Sequence, residues 1–237
     1  MRTRLLHAPL LLFLYQAVPV RGTPDSLDRH RLTVGFGAGR WENEQFSCYG
    51  DLLSALPVPY TSGGVQYDAW ATPHLRVSGY AGTYRSRADS APPAVRDYDG
   101  PFFGGQVAYE WRSVGLGAGF AHVAGYDGFT SPSGYLRFGT LDGVHIRADL
   151  FPPTTVLGST GWFRAGVGYR EGRARGVGGF LGVAIPPAYS QKGMFTGYFN
   201  VPVGRHVELQ LDGVIGPGEQ YSQQGAAIAV RYNFGSH

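Results

Sequence analysis

The sequence predicts an all-β protein that forms a closed, antiparallel, up-and-down barrel of about twelve strands, with ten as the alternative. The composition, with 37 glycines and 14% aromatic residues in 237 residues, is unlike that of a helical protein. Apolar and polar residues alternate with a period of two in segment after segment, which is typical of β-strands. The links between these segments are alternately long and short, as a meander of neighbouring strands requires.

The alternating segments recur along the chain after its N-terminal region. Most of them are close to the roughly 9–11 residues with which a tilted strand crosses a bilayer. They are predicted at residues 32–41, 64–71, 75–84, 102–111, 114–124, 134–141, 144–150, 162–170, 177–185, 194–201, 206–215 and 222–234.

The links fall into two classes. A barrel whose turns lie at one rim and whose loops lie at the other produces this sorting, whereas a soluble Greek-key sandwich does not. If both termini lie at the rim with the short turns, an even number of strands follows. The short links are 72–74, 112–113, 142–143, 202–205 and the slightly longer 171–176, and the long links are 42–63, 85–101, 125–133, 151–161, 186–193 and 216–221.

The N-terminus has the pattern of an export signal. Arg2 and Arg4 precede an apolar stretch over residues 5–20, and Gly22 is a small residue suited to cleavage, so we expect a signal peptide over residues 1–22. Together with Arg21, these arginines account for the whole formal charge of +3, so the basic pI is not evidence for a nucleic-acid partner. The sequence after residue 22 has no apolar run long enough for a transmembrane helix.

The direction in which the apolar faces point decides between two solvents. In a soluble barrel or sandwich they form the core, and in a membrane barrel they contact lipid. Lys192 is the single lysine, so the polar faces are not the lysine-rich surface of a soluble β protein. Aromatic residues near the ends of strands favour lipid, because they suit the interfaces of a bilayer. They are Trp41, Trp70, Trp111, Trp162, Tyr169, Tyr232 and Phe234.

The last predicted strand, followed by Gly235, Ser236 and His237, carries a family resemblance. The leader, the sorted loops and the ending VRYNFGSH resemble bacterial outer-membrane β-barrel proteins over essentially the whole mature chain. The resemblance implies an outer-membrane location, contact with outer-membrane lipid and recognition by the barrel-assembly machinery. In that family the last strand ends at its aromatic residue, whereas this chain continues. The assembly signal would map to Ile228, Val230, Tyr232 and Phe234.

The resemblance also gives a domain organisation and an interior. We expect a short periplasmic segment over residues 23–31, the transmembrane barrel over 32–234 and a tail over 235–237. Polar faces that point inward would place ionisable side chains in the lumen, where an unpaired charge is costly. We expect a lumen charge network of Asp68, Arg76, Glu110, Arg137, His145, Arg147, Asp149, Arg164, Glu208, Asp212 and Arg231.

Two groupings are predicted within that network. Arg231 lies about as far from the short-turn rim as Glu208 on the neighbouring strand, so the two are predicted to pair. Arg137, Arg147 and Asp149 are expected to form a second cluster. Such groups either satisfy the interior or act as a selectivity filter.

Inward glycines leave a further alternative open. They make room for bulky neighbours or sharp coiling, or they leave space for a pore. They are Gly35, Gly37, Gly39, Gly115, Gly117, Gly119, Gly166 and Gly168.

The function expected from these features is a small passive diffusion channel or a structural and surface-interaction protein. One alternative is an outer-membrane lipid-acting hydrolase with a bilayer-facing His122, for which Ser131 or Ser133 would have to reach the imidazole. Another is a soluble secreted β-barrel or sandwich. We recognise no catalytic constellation and expect no enzyme, cofactor, metal or nucleic-acid partner, and the oligomeric state is left open. The lone Cys48 allows no intrachain disulfide, and Asp97, Asp99 and Asp127 match no calcium loop.

Overall fold

The computed structural model is a closed barrel of twelve antiparallel strands. It describes residues 29–46, 52–86, 100–111, 113–124, 129–140, 143–150, 163–170, 177–185, 194–216 and 221–235. In these ranges no helix is long and apolar enough to span a membrane. The strands are β1 (His30–Phe46), β2 (Leu52–Trp70), β3 (Leu75–Ser86), β4 (Gly100–Glu110), β5 (Val114–Val123), β6 (Phe129–Gly139), β7 (Gly143–Leu150), β8 (Phe163–Arg170), β9 (Gly178–Ile185), β10 (Met194–Pro202), β11 (Val207–Gly216) and β12 (Tyr221–Phe234).

Each strand pairs with the next along the chain, and β12 returns to pair with β1. The closing register runs from His30 opposite Phe234 to Asn43 opposite Tyr221. Closure pairs the backbone N–H and C=O groups all the way round the wall, as a structure surrounded by hydrocarbon must do. The predicted up-and-down barrel is confirmed, with twelve strands rather than ten.

Both described ends of the chain lie at the rim that carries the short turns. His30 and Phe234 are opposite each other there, and the turns at 71–74 and 203–206 lie at the same rim. Most residues of the long links at the other rim lie outside the described residues. The predicted signal peptide, Cys48 and the loop aspartates Asp97, Asp99 and Asp127 also lie outside them.

The predicted long link over residues 42–63 is wrong. β1 continues to Phe46 and β2 already begins at Leu52, so the two strands form one long hairpin. Pro57 and Pro59 suggest a loop in the sequence, but β2 pairs with β3 only from Tyr60 onward. In the described part of the chain, residues 52–59 therefore form an edge, where a strand tolerates proline. β1 also begins two residues before the predicted start of the barrel at residue 32, and β6 begins at residue 129 rather than 134.

The barrel has its apolar side outside. Phe36 is 57% exposed and Ile146 is 60% exposed, whereas the neighbouring strand positions Gly35 and His145 are buried. Buried carboxylates and guanidiniums face inward. This polarity is the reverse of a soluble barrel, whose apolar face is its core.

Large inward rings lie across glycines of neighbouring strands. The ring of Tyr80 covers Gly104, and the ring of Tyr135 covers Gly117. A Cβ atom added at Gly39 would lie 2.6 Å from the Tyr60 hydroxyl oxygen. At these positions, the glycines therefore make room for bulky neighbours, which is one of the alternatives that the sequence left open.

We predict that Gly104→Ala destabilises the barrel. The new Cβ would collide with the Tyr80 ring and with the carbonyl oxygen of Phe120, so the cost expected of overpacking is about 1–3 kcal/mol. The measurement is the free energy of unfolding in urea for protein refolded in detergent micelles. Gly79→Ala is the matched control on β3, because nothing lies within 4 Å of the Cβ it would add. Equal stability of the two variants would contradict this packing.

Candidate functional site: a charged belt in the lumen

Ionisable side chains gather inside the barrel and define what we call the lumen belt, most of them toward the short-turn rim and Asp149 and Arg164 near the long-loop ends of β7 and β8. They occupy alternate positions on their strands, so the pleat directs all of them inward. Among the described residues, the belt consists of Arg31, Asp68, Arg76, Glu110, Arg137, Arg147, Asp149, Arg164, Arg170, Glu208, Asp212 and Arg231.

Asp149 on β7 holds two guanidiniums. Arg147 Nη2 lies 2.6 Å from Asp149 Oδ1, and Arg164 Nη2 lies 3.0 Å from Oδ2. Arg164 is the direct cross-strand partner of Asp149 on β8. The Nε atoms of both arginines also donate to this carboxylate, at 2.7 Å and 3.1 Å. Each arginine thus presents one edge of its guanidinium to Asp149.

Glu208 on β11 also holds two guanidiniums. Arg231 Nη1 lies 3.8 Å from Glu208 Oε2, so the pairing predicted from the sequence is present. The two residues are directly opposite in the register of β11 and β12. Arg170 is the second partner, with its Nη2 atom 3.5 Å from Glu208 Oε1. Arg170 reaches Glu208 from β8, past the two intervening strands.

Glu110 on β4 is the third carboxylate of this kind. Arg137 Nη2 lies 3.0 Å from Glu110 Oε2, and Arg76 Nη2 lies 4.0 Å from Oε1. The Tyr135 hydroxyl donates to Oε1 as well. The expected cluster of Arg137 with Arg147 and Asp149 is therefore wrong for Arg137.

The register explains this difference. Arg137 and Arg147 are directly opposite each other on β6 and β7, where like charges repel. Arg137 turns the other way and reaches Glu110 across β5. Gly115 of β5 leaves that path open, because a Cβ there would collide with Glu110 and lie 3.0 Å from Arg137 Nε.

Two other aspartates complete the belt. Asp68 accepts a hydrogen bond of 2.6 Å from the Ser78 hydroxyl and lies 3.6 Å from Arg76 Nη1. Asp212 accepts two hydrogen bonds of 2.7 Å from Gln210 and has no arginine within ion-pair distance among the described residues.

Aromatic rings hold several of the guanidiniums in place. Arg147 Cζ lies 4.3 Å from the centre of the Tyr135 ring, and Arg164 Cζ lies 4.8 Å from that of Phe180. A guanidinium stacked on a ring and paired along one edge keeps its orientation.

The sequence reasoning missed Arg31 and Arg170 as members of the belt. Arg31 donates from Nε to Asn233 Oδ1 at 3.0 Å, and its guanidinium lies 5.2 Å from the centre of the Trp70 ring. It fell in the segment assigned before the barrel. Arg170 stood on the polar face of its predicted strand, and that alternation was the available signal. His145 does face inward, with its ring against Gly168.

The histidine of the hydrolase alternative faces outward. His122 Nδ1 lies 2.7 Å from Thr130 Oγ1, and its ring centre lies 4.7 Å from that of Phe103. Ser133 is buried on the inward face of β6, and Ser131 shares that face. The described residues therefore bring neither serine to the imidazole.

The proposed assembly signal lies on the outer face of β12. Ile228, Val230 and Tyr232 are 47–48% exposed there. The Phe234 ring stacks on His30 of β1, with 5.3 Å between ring centres. The side chains of Trp41 and Trp162 lie outside the described residues, and the predicted position of Trp70 at a lipid interface is wrong, because Trp70 shares the inward face of β2 with Asp68 and contacts Arg31.

No protein-family model matches the chain, and no curated protein sequence matches it. Solved structures do. The β domain of the Bordetella autotransporter BrkA is 13% identical, with a TM-score of 0.51, over 87% of this chain and 100% of that chain. This chain has the fold of the bacterial outer-membrane β-barrels.

Two other similar structures have lower TM-scores. The translocator domain of the autotransporter NalP from Neisseria meningitidis is 10% identical over 91% of this chain and 90% of that chain, with a TM-score of 0.49. A mutant of the Rh. blastica porin is 10% identical over 86% of this chain and 100% of that chain, with a TM-score of 0.36.

We predict that Asp149→Asn strongly destabilises this outer-membrane-type barrel. The substitution leaves two guanidiniums without their shared carboxylate, and breaking a buried ion pair costs about 3–5 kcal/mol. The urea dependence of unfolding in lipid vesicles measures it. Asp212→Asn is the matched control and is expected to cost about 1 kcal/mol, because the amide oxygen still accepts one of the two hydrogen bonds from Gln210 and only the other is lost. Similar losses in both variants would refute the role given to Asp149.

Proposed function

We propose that the protein is an integral outer-membrane barrel that acts as a narrow passive diffusion channel, with the lumen belt as its constriction. The exposed apolar outer face favours a lipid environment. The closed wall encloses a lumen, which is the path that we propose for solutes. The export signal expected at residues 1–22 agrees with that location.

The observation that carries the proposal is that two belt contacts pass two intervening strands and so run across the lumen, beside others that follow the wall. Arg170 on β8 pairs with Glu208 on β11, and two strands lie between them. Arg76 on β3 likewise donates from Nη2 to the Tyr135 hydroxyl on β6, at 3.4 Å. Contacts of this kind narrow the lumen of a twelve-stranded barrel, whose size lies between a filled eight-stranded barrel and a wide porin.

The charge of the inward side chains differs between the two rims. Toward the long-loop rim, the described inward side chains of β2, β3 and β10 are uncharged, and they include Tyr60, Ser62, Tyr84 and Thr196. A solute that enters from that rim would thus meet neutral side chains on β2, β3 and β10, and the charged pair of Asp149 and Arg164 on β7 and β8. Small polar solutes are the class that such a path fits.

We predict small, uniform conductance steps from the purified, refolded protein in planar bilayers. In the double variant Glu110→Ser/Arg137→Ser, the conductance of each step should rise because two large side chains are removed from the lumen. Both members of the ion pair are replaced, so neither charge is left buried without the other. Leu136→Ala is the control, since Leu136 is the adjacent residue on β6 but faces outward. Absence of steps in the wild-type protein would overturn the channel proposal.

A second candidate function is surface interaction through the long hairpin. β1 and β2 contain 17 and 19 residues, whereas the strands from β3 to β11 contain 8 to 12. About 9–11 residues of a strand cross a bilayer, at roughly 3.3 Å per residue. The Leu52 end of β2 therefore extends beyond the membrane by roughly 25 Å, measured along the tilted strand. A projection of this length favours contact with other surfaces.

We predict that shortening this hairpin separates the two functions. Replacing residues 42–57 with an Asn-Gly turn should leave the barrel folded and conducting, because β2 pairs with β3 only from Tyr60 onward. Aggregation of cells that display the protein should fall if the hairpin makes contacts. Unchanged aggregation would remove this second candidate and leave the channel in place.

A further inference from the structure

We propose that the lumen belt selects anions, and that solutes bearing a carboxylate or phosphate group bind transiently at Arg147 and Arg164. This inference rests on the proposed channel and names its solute class. Its basis is that arginine side chains cover most of the carboxylates in the belt.

The belt carries more positive than negative charge. Among the described inward positions there are seven arginines and five carboxylates. Three of the carboxylates, those of Asp149, Glu208 and Glu110, each hold two guanidiniums. The local excess is therefore positive at the ion pairs themselves.

The arginines and the carboxylates of the belt differ in how far their side chains are exposed to the lumen. The carboxylates of Asp149 and Glu208 have 0% exposed side chains, and that of Asp68 has 2%. The arginines paired with them are 13–22% exposed, with Arg147 at the upper limit. The pair of Arg137 and Glu110 has the reverse order, at 2% and 10%. Asp212 is only partly buried, so guanidinium is the surface that a passing ion meets at Asp149, Glu208 and Asp68.

Arg147 and Arg164 provide the best-defined site. Each directs Nε and Nη2 to Asp149, so its Nη1 atom makes no contact with that carboxylate and is the donor group that we assign to a solute. Stacking on Tyr135 and Phe180 holds the planes of these guanidiniums. Guanidinium donors in fixed positions match the oxygen atoms of carboxylates and phosphates, with which arginine forms charge-assisted hydrogen bonds.

The test is the reversal potential of single channels in a gradient of potassium chloride. The wild-type protein should pass chloride in preference to potassium. Arg147→Gln should lower the chloride-to-potassium permeability ratio by about fivefold, as expected for the loss of one charge about 4 Å from a hydrated ion. Asp149 keeps Arg164 as its partner in this variant, so the barrel is expected to fold.

Matched variants separate charge from geometry. Arg85→Gln removes an exposed arginine on the outer face of β3 and should leave the ratio unchanged. Arg147→Lys should keep the preference for chloride but weaken the block of chloride current by added succinate or inorganic phosphate, because lysine lacks the planar fork. If Arg147→Gln does not fold, Arg231→Gln serves in its place, since Glu208 keeps Arg170.

The outcomes distinguish the two proposals. A preference for potassium, or an unchanged ratio in Arg147→Gln, would overturn anion selection and leave the channel. Absence of steps would overturn the channel, and calorimetric titration of the refolded protein with succinate and with phosphate would then decide the site. Binding that is lost in Arg147→Gln supports the site, and no binding to the wild-type protein overturns it.

Discussion

The pairing of the first strand with the last is the constraint on which the rest of the structure depends. Hydrocarbon offers no hydrogen bonds, so an open sheet would leave two strands with bare N–H and C=O groups, each costing several kcal/mol. The register from His30 opposite Phe234 removes both edges through the wall. Gly235, with a φ of 80°, lets the chain leave the barrel close against His30, where a Cβ would lie 2.6 Å from the imidazole ring. Gly235, the first residue beyond the terminal aromatic, is thus compatible with closure.

Closure also divides the side chains between two environments, and the inner one must balance charge. A guanidinium or carboxylate cannot turn outward without entering the apolar face, so the inward charges compensate one another. They do this unevenly, because three carboxylates each serve two arginines. Contacts such as that between Arg170 and Glu208 stabilise the interior and narrow it at the same time. The features that hold the barrel together are therefore those that would govern passage through it.

Alternation along the chain predicted about twelve strands and placed the charges on one face of each, because a period of two is a local property, and the sorted loops, the leader and the single lysine favoured an inward direction for that face. It could not predict partners across several strands. Arg137 turns to Glu110 because Arg147 opposes it and Gly115 opens the path, and these conditions exist only once the register is set. Pro57 and Pro59 made part of the hairpin of β1 and β2 resemble a loop in the sequence. β2 tolerates them because residues 52–59 have no partner strand on the β3 side in the described part of the chain. The proposed solute class likewise depends on how far each charged side chain is exposed to the lumen, and the sequence does not give that exposure.

The rings that lie across glycines also limit how such a chain can evolve. Tyr80 and Gly104 are far apart in sequence but share one volume inside the wall. A larger residue at position 104 collides unless the ring at position 80 has already gone, and loss of the ring alone leaves bare backbone and a void. Each single substitution is thus expected to destabilise the barrel, while a joint replacement removes the collision together with the ring. Positions 80 and 104 are therefore expected to change together rather than one at a time, although they belong to different strands.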